Sequence, residues 1–240
     1  MLDVRSPGSS AVPGWWFADG ASPLKGCASL LRDATRARAL LVRQLAAAPD
    51  PRRLRLVRRT EDVAVIATPS YDEWLATLPK KRRHGVRRLT ATVADDPALT
   101  AEVVPGREVD PVELAVLLRH NARKHDHAPI VPLPHFTGYL TRLLRQPDVR
   151  VLAYRDGTAL TAAALLLDHP THPVVRSWSS LPVEEGGRAD LYFHFYAETV
   201  RWAAGAGRAA VVLGKGMAEV KKSLGADLVA QYAAVQLGAG

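Results

Sequence analysis

The stretch VRVLAYRDGTALTAAALLLDHPTHPVVRSWSS, residues 149–180, constrains this chain's fold more than any other. Two apolar runs flank the pair Asp156-Gly157. Such a pair turns a chain back on itself, because the central residues of a two-residue hairpin turn need positive φ. A third run, HPVVRSWSS, extends the hairpin into a meander. This part of the chain is therefore expected to build an antiparallel sheet.

What surrounds the meander adds helices. DLYFHFYAETVRWAAGAG reads as an amphipathic helix closed by Gly205 and Gly207. RAAVVLG follows as a buried strand, GMAEVKKSLG as a short helix and LVAQYAAVQL as a last strand. Upstream, CASLLRDATRARALLVRQLAAA has helical spacing, with Leu30, Ala34, Ala37, Leu41 and Leu45 on one face. LRLVR and DVAVIAT read as two short strands. Ser70 stands three residues before Glu73, a capping box ahead of Trp74, Leu75 and Leu78. Pro79 ends that helix and suits the start of the next, KKRRHGVRRLTATV. AEVV is a strand. DPVELAVLLRHNARKH is a helix capped by Asp110 with Pro111 at its first position. PLPHFTGYLTRLLRQ is another helix. The expected class is mixed α/β with a mainly antiparallel sheet.

At 240 residues and 48% hydrophobic, the chain has enough apolar mass for a core. Residues 1–13, rich in Gly, Ser and Pro, read as a disordered tail. No apolar run approaches the roughly 20 residues of a membrane helix, and the N-terminus has no secretory apolar region. Cys27, the single cysteine, cannot form an internal disulfide. These features point to a soluble cytoplasmic protein without membrane insertion. The net charge of +8 favours polyanionic partners. It also fits the Arg-rich usage of a GC-rich genome.

VVLGKGMAEVKKSLGAD, residues 211–227, looks like a phosphate loop but fits neither template. A Walker A loop needs glycine where Lys221 stands. A dinucleotide fingerprint needs its third glycine where Glu219 stands. What remains is a strand, a glycine turn and a helix start whose N–H groups can bind an anion or oxyanion.

Three stretches together resemble one family. YFHFYAETVRWAAGAG followed by VVLGKGMAEVKKSLGAD, the upstream SYDEWLATLPKKRRHGVRRL, and NARKHDHAPIVPLPHF are similar in order and spacing to Fem-type N-acyltransferases, peptidoglycan-associated proteins with a GNAT fold. Lys221 and Gly225-Ala226 occupy the family's Lys and following Gly-Ala positions. The resemblance covers residues 62–237. It implies a reduced N-terminal GNAT-like half over residues 14–69 and a C-terminal acyltransferase domain over 70–240. It departs from the family in having too few residues for a full first half, and in having Val220 where an aromatic often precedes the lysine.

The resemblance implies acyl transfer to an amine. Such a reaction needs a proton acceptor and fixed donors for the oxyanion. The candidates are Lys221 for charge stabilisation, and His194 with Asp190 for proton handling. Asp190, His194 and Glu198 recur four apart along one helical face, which is either a proton-handling face or a solvent face. Substrate-binding candidates are Lys124, Asp126, Arg176, Trp178, Tyr196 and Lys215. Arg176 and Trp178 alternate with Ser177 and Ser179 on a strand. His120, His125 and His127 are spaced poorly for a metal on a helix, and no metal is expected. The run Lys80, Lys81, Arg82, Arg83, Arg87 and Arg88 is either a solvated face or a nucleic-acid contact. No tightly bound cofactor is expected. The acyl donor is expected to be aminoacyl-tRNA, with a small-molecule or cell-wall amine as acceptor. Acyl-CoA as donor, and a non-catalytic nucleic-acid binder on the same fold, are the alternatives.

Overall fold

The computed structural model describes residues 2–4, 30–31, 33–45, 56–124 and 133–237. The expected tail, Trp15, Trp16, Phe17, His125, Asp126 and His127 lie outside the described residues. The chain divides into two units. One takes in Met1–Val65, Gly214–Ala218 and Asp227–Gly240, the other Ile66–Leu213 and Glu219–Ala226.

The first unit is a sheet of β1 (Leu2–Val4), β2 (Ala39–Leu45), β3 (Leu56–Ala67, its last two residues grouped with the other unit) and the chain's last strand, Asp227–Leu237. That last strand lies between β2 and β3 and is antiparallel to both, while β1 pairs with β2 in parallel. Two sequence expectations fail here. The helical spacing of 27–48 gives only a short helical stretch, at residues 30, 31 and 33–35. Arg36, with φ of 53°, turns the chain out of the helical region, and ALLVRQL becomes β2. Tertiary pairing overrides the 3.6-residue spacing: Leu40 and Val42 are buried at a period of two, with Ala234. LRLVR and DVAVIAT are not two strands. From Leu56 onward they form the single strand β3, with a register shift between Thr60 and Val63.

The second unit holds α1 (Tyr71–Thr77), α2 (Lys80–Ala94), β4 (Leu99–Pro105), α3 (Pro111–Lys124), α4 (Leu133–Leu144), β5 (Val149–Asp156), β6 (Ala159–Leu167), β7 (Val174–Ser180), α5 (Leu191–Gly205), β8 (Ala210–Gly214, its last residue grouped with the other unit) and α6 (Ala218–Ser223, from Glu219 onward). β9 is the strand Asp227–Leu237 already described. The strand order is β8-β7-β6-β5-β4.

The predicted hairpin is present, with its turn one residue later than expected: Asp156 pairs with Ala159 and the turn is Gly157-Thr158, with Gly157 at φ of 57°. So are two predicted caps: the Glu73 N–H donates to Ser70 Oγ at 3.1 Å, and the Val112 N–H to Asp110 Oδ1 at 2.8 Å. β6 is buried from Leu160 to Leu166, because helices cover both faces of the meander. α3 and α4 cover one face, packing Leu114, Leu117 and Leu140 on Val151, Ala163 and Leu165. α5 covers the other, where Tyr154 and Trp178 meet its ring side chains.

Two bulges interrupt this meander. Tyr154 pairs with Ala162 and Arg155 with Leu160, which leaves Thr161 extra. Leu165 pairs with Ser177 and Leu166 with Val175, which leaves Arg176 extra. β8 joins β7 in parallel at one pair, Val174 with Val212.

α6 is docked from below. The Trp74 Nε1–H donates to the Leu224 carbonyl at 2.9 Å, and a Cβ on Gly225 would stand 3.3–3.5 Å from Leu78, Thr77 and Trp74. Gly225 has φ of 83°, a conformation that favours glycine. The Gly-Ala after Lys221 is thus a helix exit pressed against α1.

Candidate active site

α2 and the start of α5 enclose a cleft of about 1010 Å³ within the second unit. The apolar Val86, Leu89, Val93, Leu191 and Phe193 line it together with the charged Lys81, Arg82, Arg88, Arg188, Asp96 and Asp190. Val86 and Val93 are the buried residues of α2, seven apart, which fixes the helix's rotation. That rotation turns part of the basic run into the cleft. Lys81, Arg82 and Arg88 line it, whereas Lys80, Arg83 and Arg87 do not. Arg82 is half-buried, with its guanidinium 5.1 Å from the centre of the Phe193 ring. Arg83 donates to the Ala76 carbonyl at 3.2 Å. The run is neither wholly solvated nor wholly a ligand surface.

Arg188 was not visible as a site residue from sequence. It donates to Asp96 at 3.1 Å and to Asp156 at 2.8 Å, pinning the segment before α5 to the end of α2 and to the hairpin tip. The Ala98 N–H, and then Arg188, hold the Asp96 carboxyl below the usual carboxylate range. The only sequence signal was an arginine just before a helix start, which is unremarkable by itself.

Asp190 lies at the cleft. It is not on the helical face expected for it. It is the residue before α5, with φ of 60°, and its side chain makes no cap bond. Its carbonyl accepts the N–H groups of Phe193 and His194. His194 and Glu198 share one helical face, and Asp190 stands one residue ahead of the helix.

His194 is 3% exposed and does not line the cleft. Nor is its face a solvent face. Its Nδ1 is 2.8 Å from the Tyr154 hydroxyl and its Nε2 is 3.6 Å from Glu198 Oε1. Burial, and then the charge of Arg201, push its pKa down from 6.5 to about 4, so the ring is neutral at pH 7. Burial raises Glu198 against the lowering pull of Arg201, which donates to it. Tyr154 is raised well above its ordinary value by burial. These groups form a chain, Tyr154–His194–Glu198–Arg201, that runs from the buried Tyr154 and His194 to the exposed Arg201.

The substrate-binding candidates are dispersed. Trp178 stacks on Phe195 at 4.7 Å, with Tyr154 edge-on at 5.7 Å. Tyr196 is buried and its hydroxyl is 2.6 Å from that of Tyr192. Arg176 does not share Trp178's face, contrary to simple alternation. The bulge turns it toward α4, where it donates to the Tyr139 hydroxyl at 2.8 Å and lies 5.5 Å from that ring's centre. Lys124 is the last residue of α3, and Asp126 lies outside the described residues. Lys215 sits in the glycine turn Gly214–Ala218 of the first unit, half-buried. Lys221 is 3% exposed and donates to the Leu213 carbonyl at 2.9 Å, so it is fixed at the end of β8. Ser223, two residues on, reaches the cleft.

Among the described residues no group of three His, Cys, Asp or Glu is placed to hold a metal, and no helix is long and apolar enough to cross a membrane.

No family model and no curated protein matches the chain. Solved structures do. The C-terminal domain of a putative lysylphosphatidylglycerol synthetase from Agrobacterium fabrum matches 88% of this chain and 72% of its own, at 17% identity and TM-score 0.62. FemX matches 88% of this chain and 75% of its own, at 10% identity and TM-score 0.61. L-PGS from Bacillus licheniformis matches 88% and 72%, at 10% identity and TM-score 0.56. The fold, mixed α/β with a mainly antiparallel sheet, is shared with these solved structures.

Proposed function

We propose that this protein is an N-acyltransferase that passes an aminoacyl group from aminoacyl-tRNA to an amine. The observation that carries this reading is the 1010 Å³ cleft, whose lining includes Lys81, Arg82, Arg88 and Asp190. Its basic residues suit a donor that brings phosphates, and its apolar ones suit the acyl part. The Agrobacterium neighbour's name describes an aminoacylated product, which supports an aminoacyl donor on this fold.

In the proposed step the acceptor's neutral amine attacks the ester carbonyl of the donor. A C–N bond forms, the ester C–O bond breaks, and the leaving ribose oxygen gains, by way of Asp190, the proton that the amine gives up. Asp190 takes the proton that the amine loses. His194 is a positioning residue behind the first turns of α5, which holds Asp190 at the cleft. Lys221 holds the end of β8 and adds positive potential where charge develops on the carbonyl oxygen.

One observation favours a second reading. β7 and β8 meet at a single pair, so the strands diverge beyond Val174 and Val212, as a donor such as acyl-CoA would use. The test separates the two. Charged tRNA is offered with a panel of amines, beside acetyl-CoA with the same panel. The expected result is amine-dependent loss of the amino acid from tRNA, reduced about 100-fold in Asp190→Asn with tRNA affinity kept. Saturable acetyl-CoA turnover with no tRNA binding at low salt would overturn the aminoacyl reading in favour of the second.

A further inference from the structure

We propose that the open face of the first unit's sheet is a groove for the phosphodiester backbone of RNA, gripped by Arg43 and Arg58; this rests on the tRNA reading above. β2, β9 and β3 bury one face, with Leu40, Val42 and Ala234 in its core. The opposite face carries a cavity of about 450 Å³. Strand register orders that face into rows. Leu41, Val235 and Leu56 stand side by side and form an apolar row. Ala233 stands beside Arg58, with Arg43 on the neighbouring strand lining the same cavity. Thr60 faces Gln231 in the row after that. The small Ala233 side chain between two arginines makes a trough.

One further fact bears on the ligand. Thr60, which lines the cavity, has its Oγ1 without a hydrogen-bond partner. Buried polar groups are nearly always satisfied, so this end of the groove holds an uncommitted hydroxyl. The carboxylates on this strand are already engaged. Glu61 accepts the Gly216 N–H at 2.7 Å, and Asp62 is gripped by Arg59 at 2.8 Å. Among the described residues no carboxylate pairs with Arg58, which is exposed.

The chemistry selects the ligand class. Arginine forks match phosphate oxygens, and hydroxyl and amide side chains commonly bind phosphate and sugar. The apolar row accepts the flat faces of sugar or base. The site is concave, which suits a chain and not the plane of a bilayer. It lies on a sheet face away from strand edges, so an acidic peptide gains no strand pairing there.

The test measures bulk tRNA binding across a salt series with the full chain. The variants are the groove pair Arg43→Ala/Arg58→Ala, single Arg58→Ala, and the cleft pair Lys81→Ala/Arg88→Ala. Binding to phosphatidylcholine vesicles containing phosphatidylserine is measured beside it. The groove pair is expected to weaken tRNA binding about tenfold and to lower the salt slope by about 2. Arg58 is exposed, so its single variant keeps the fold and lowers the slope by about 1. Wild-type affinity and slope in the groove variants, with binding lost in the cleft pair, would overturn the groove and leave the tRNA reading standing. No tRNA binding by the wild type would overturn both. Loss of vesicle binding with tRNA binding kept would reassign the surface to anionic lipid and overturn the proposal.

Discussion

Asp190 combines an unfavourable backbone with a place at the cleft. Its φ of 60° is tolerated by Asp but costs energy, and no cap bond offsets it. Asp190→Gly is expected to raise stability by about 0.5–1 kcal/mol while abolishing acyl transfer, a split that melting curves and turnover measure together. His194 gives the second prediction at this scale. Its folded pKa, about 4, lies below its ordinary 6.5. The unfolded chain therefore binds the extra proton first as pH falls, and stability drops between pH 6.5 and 4 by up to about 3 kcal/mol. Glu198, raised by burial, acts in the opposite sense in the acid part of this window. His194→Gln is expected to flatten that decline in urea titrations taken across the range. The basic run was legible because charge density is local. Arg188 was not, because its role lies in contacts to residues 92 and 32 positions away. Phe193 and Val86 were hidden likewise, being ordinary apolar residues until two helices come together.

At the level of elements, caps and turns read well because they are short-range chemistry. Ser70, Asp110 and Asp156-Gly157 each act within a few residues of themselves. The failures need partners that are distant in sequence. ALLVRQL becomes a strand only because β9, nearly 200 positions later, is there to pair with it. The Arg176 bulge likewise reflects the register of β6 against β7, which no single strand encodes. Gly225 tests how tightly α6 is seated. Gly225→Ala places a methyl 3.3 Å from Leu78 at positive φ, and is expected to cost about 1–2 kcal/mol by urea denaturation. α2 tests the cleft. Lys81→Glu/Arg88→Glu is expected to lower tRNA affinity at least tenfold at low salt and to leave a shallower salt slope, as fluorescence titration reports.

For the molecule as a whole, mixed α/β class and a mainly antiparallel sheet followed from the meander and the helices around it. The return of the last strand to the N-terminal ones did not. Nothing in LVAQYAAVQL names β2 and β3 as neighbours, since strand pairing is decided by which apolar faces remain to be covered. Burial is concentrated at the meander, and local opening there requires losing the most packed surface. Amide hydrogen exchange is expected to be slowest from Val151 to Tyr154 and from Leu160 to Leu166, approaching the rate set by global unfolding.

The single rung between β7 and β8 has one more consequence. Past Val174 and Val212 any molecule seated between the strands meets peptide groups, which every residue type supplies alike. Side-chain replacement leaves those groups in place. An alanine survey of the two strands would then register little even where recognition is strong, and proline or ester backbone substitutions would be the informative changes. Over evolutionary time the same property would free the lining side chains to drift.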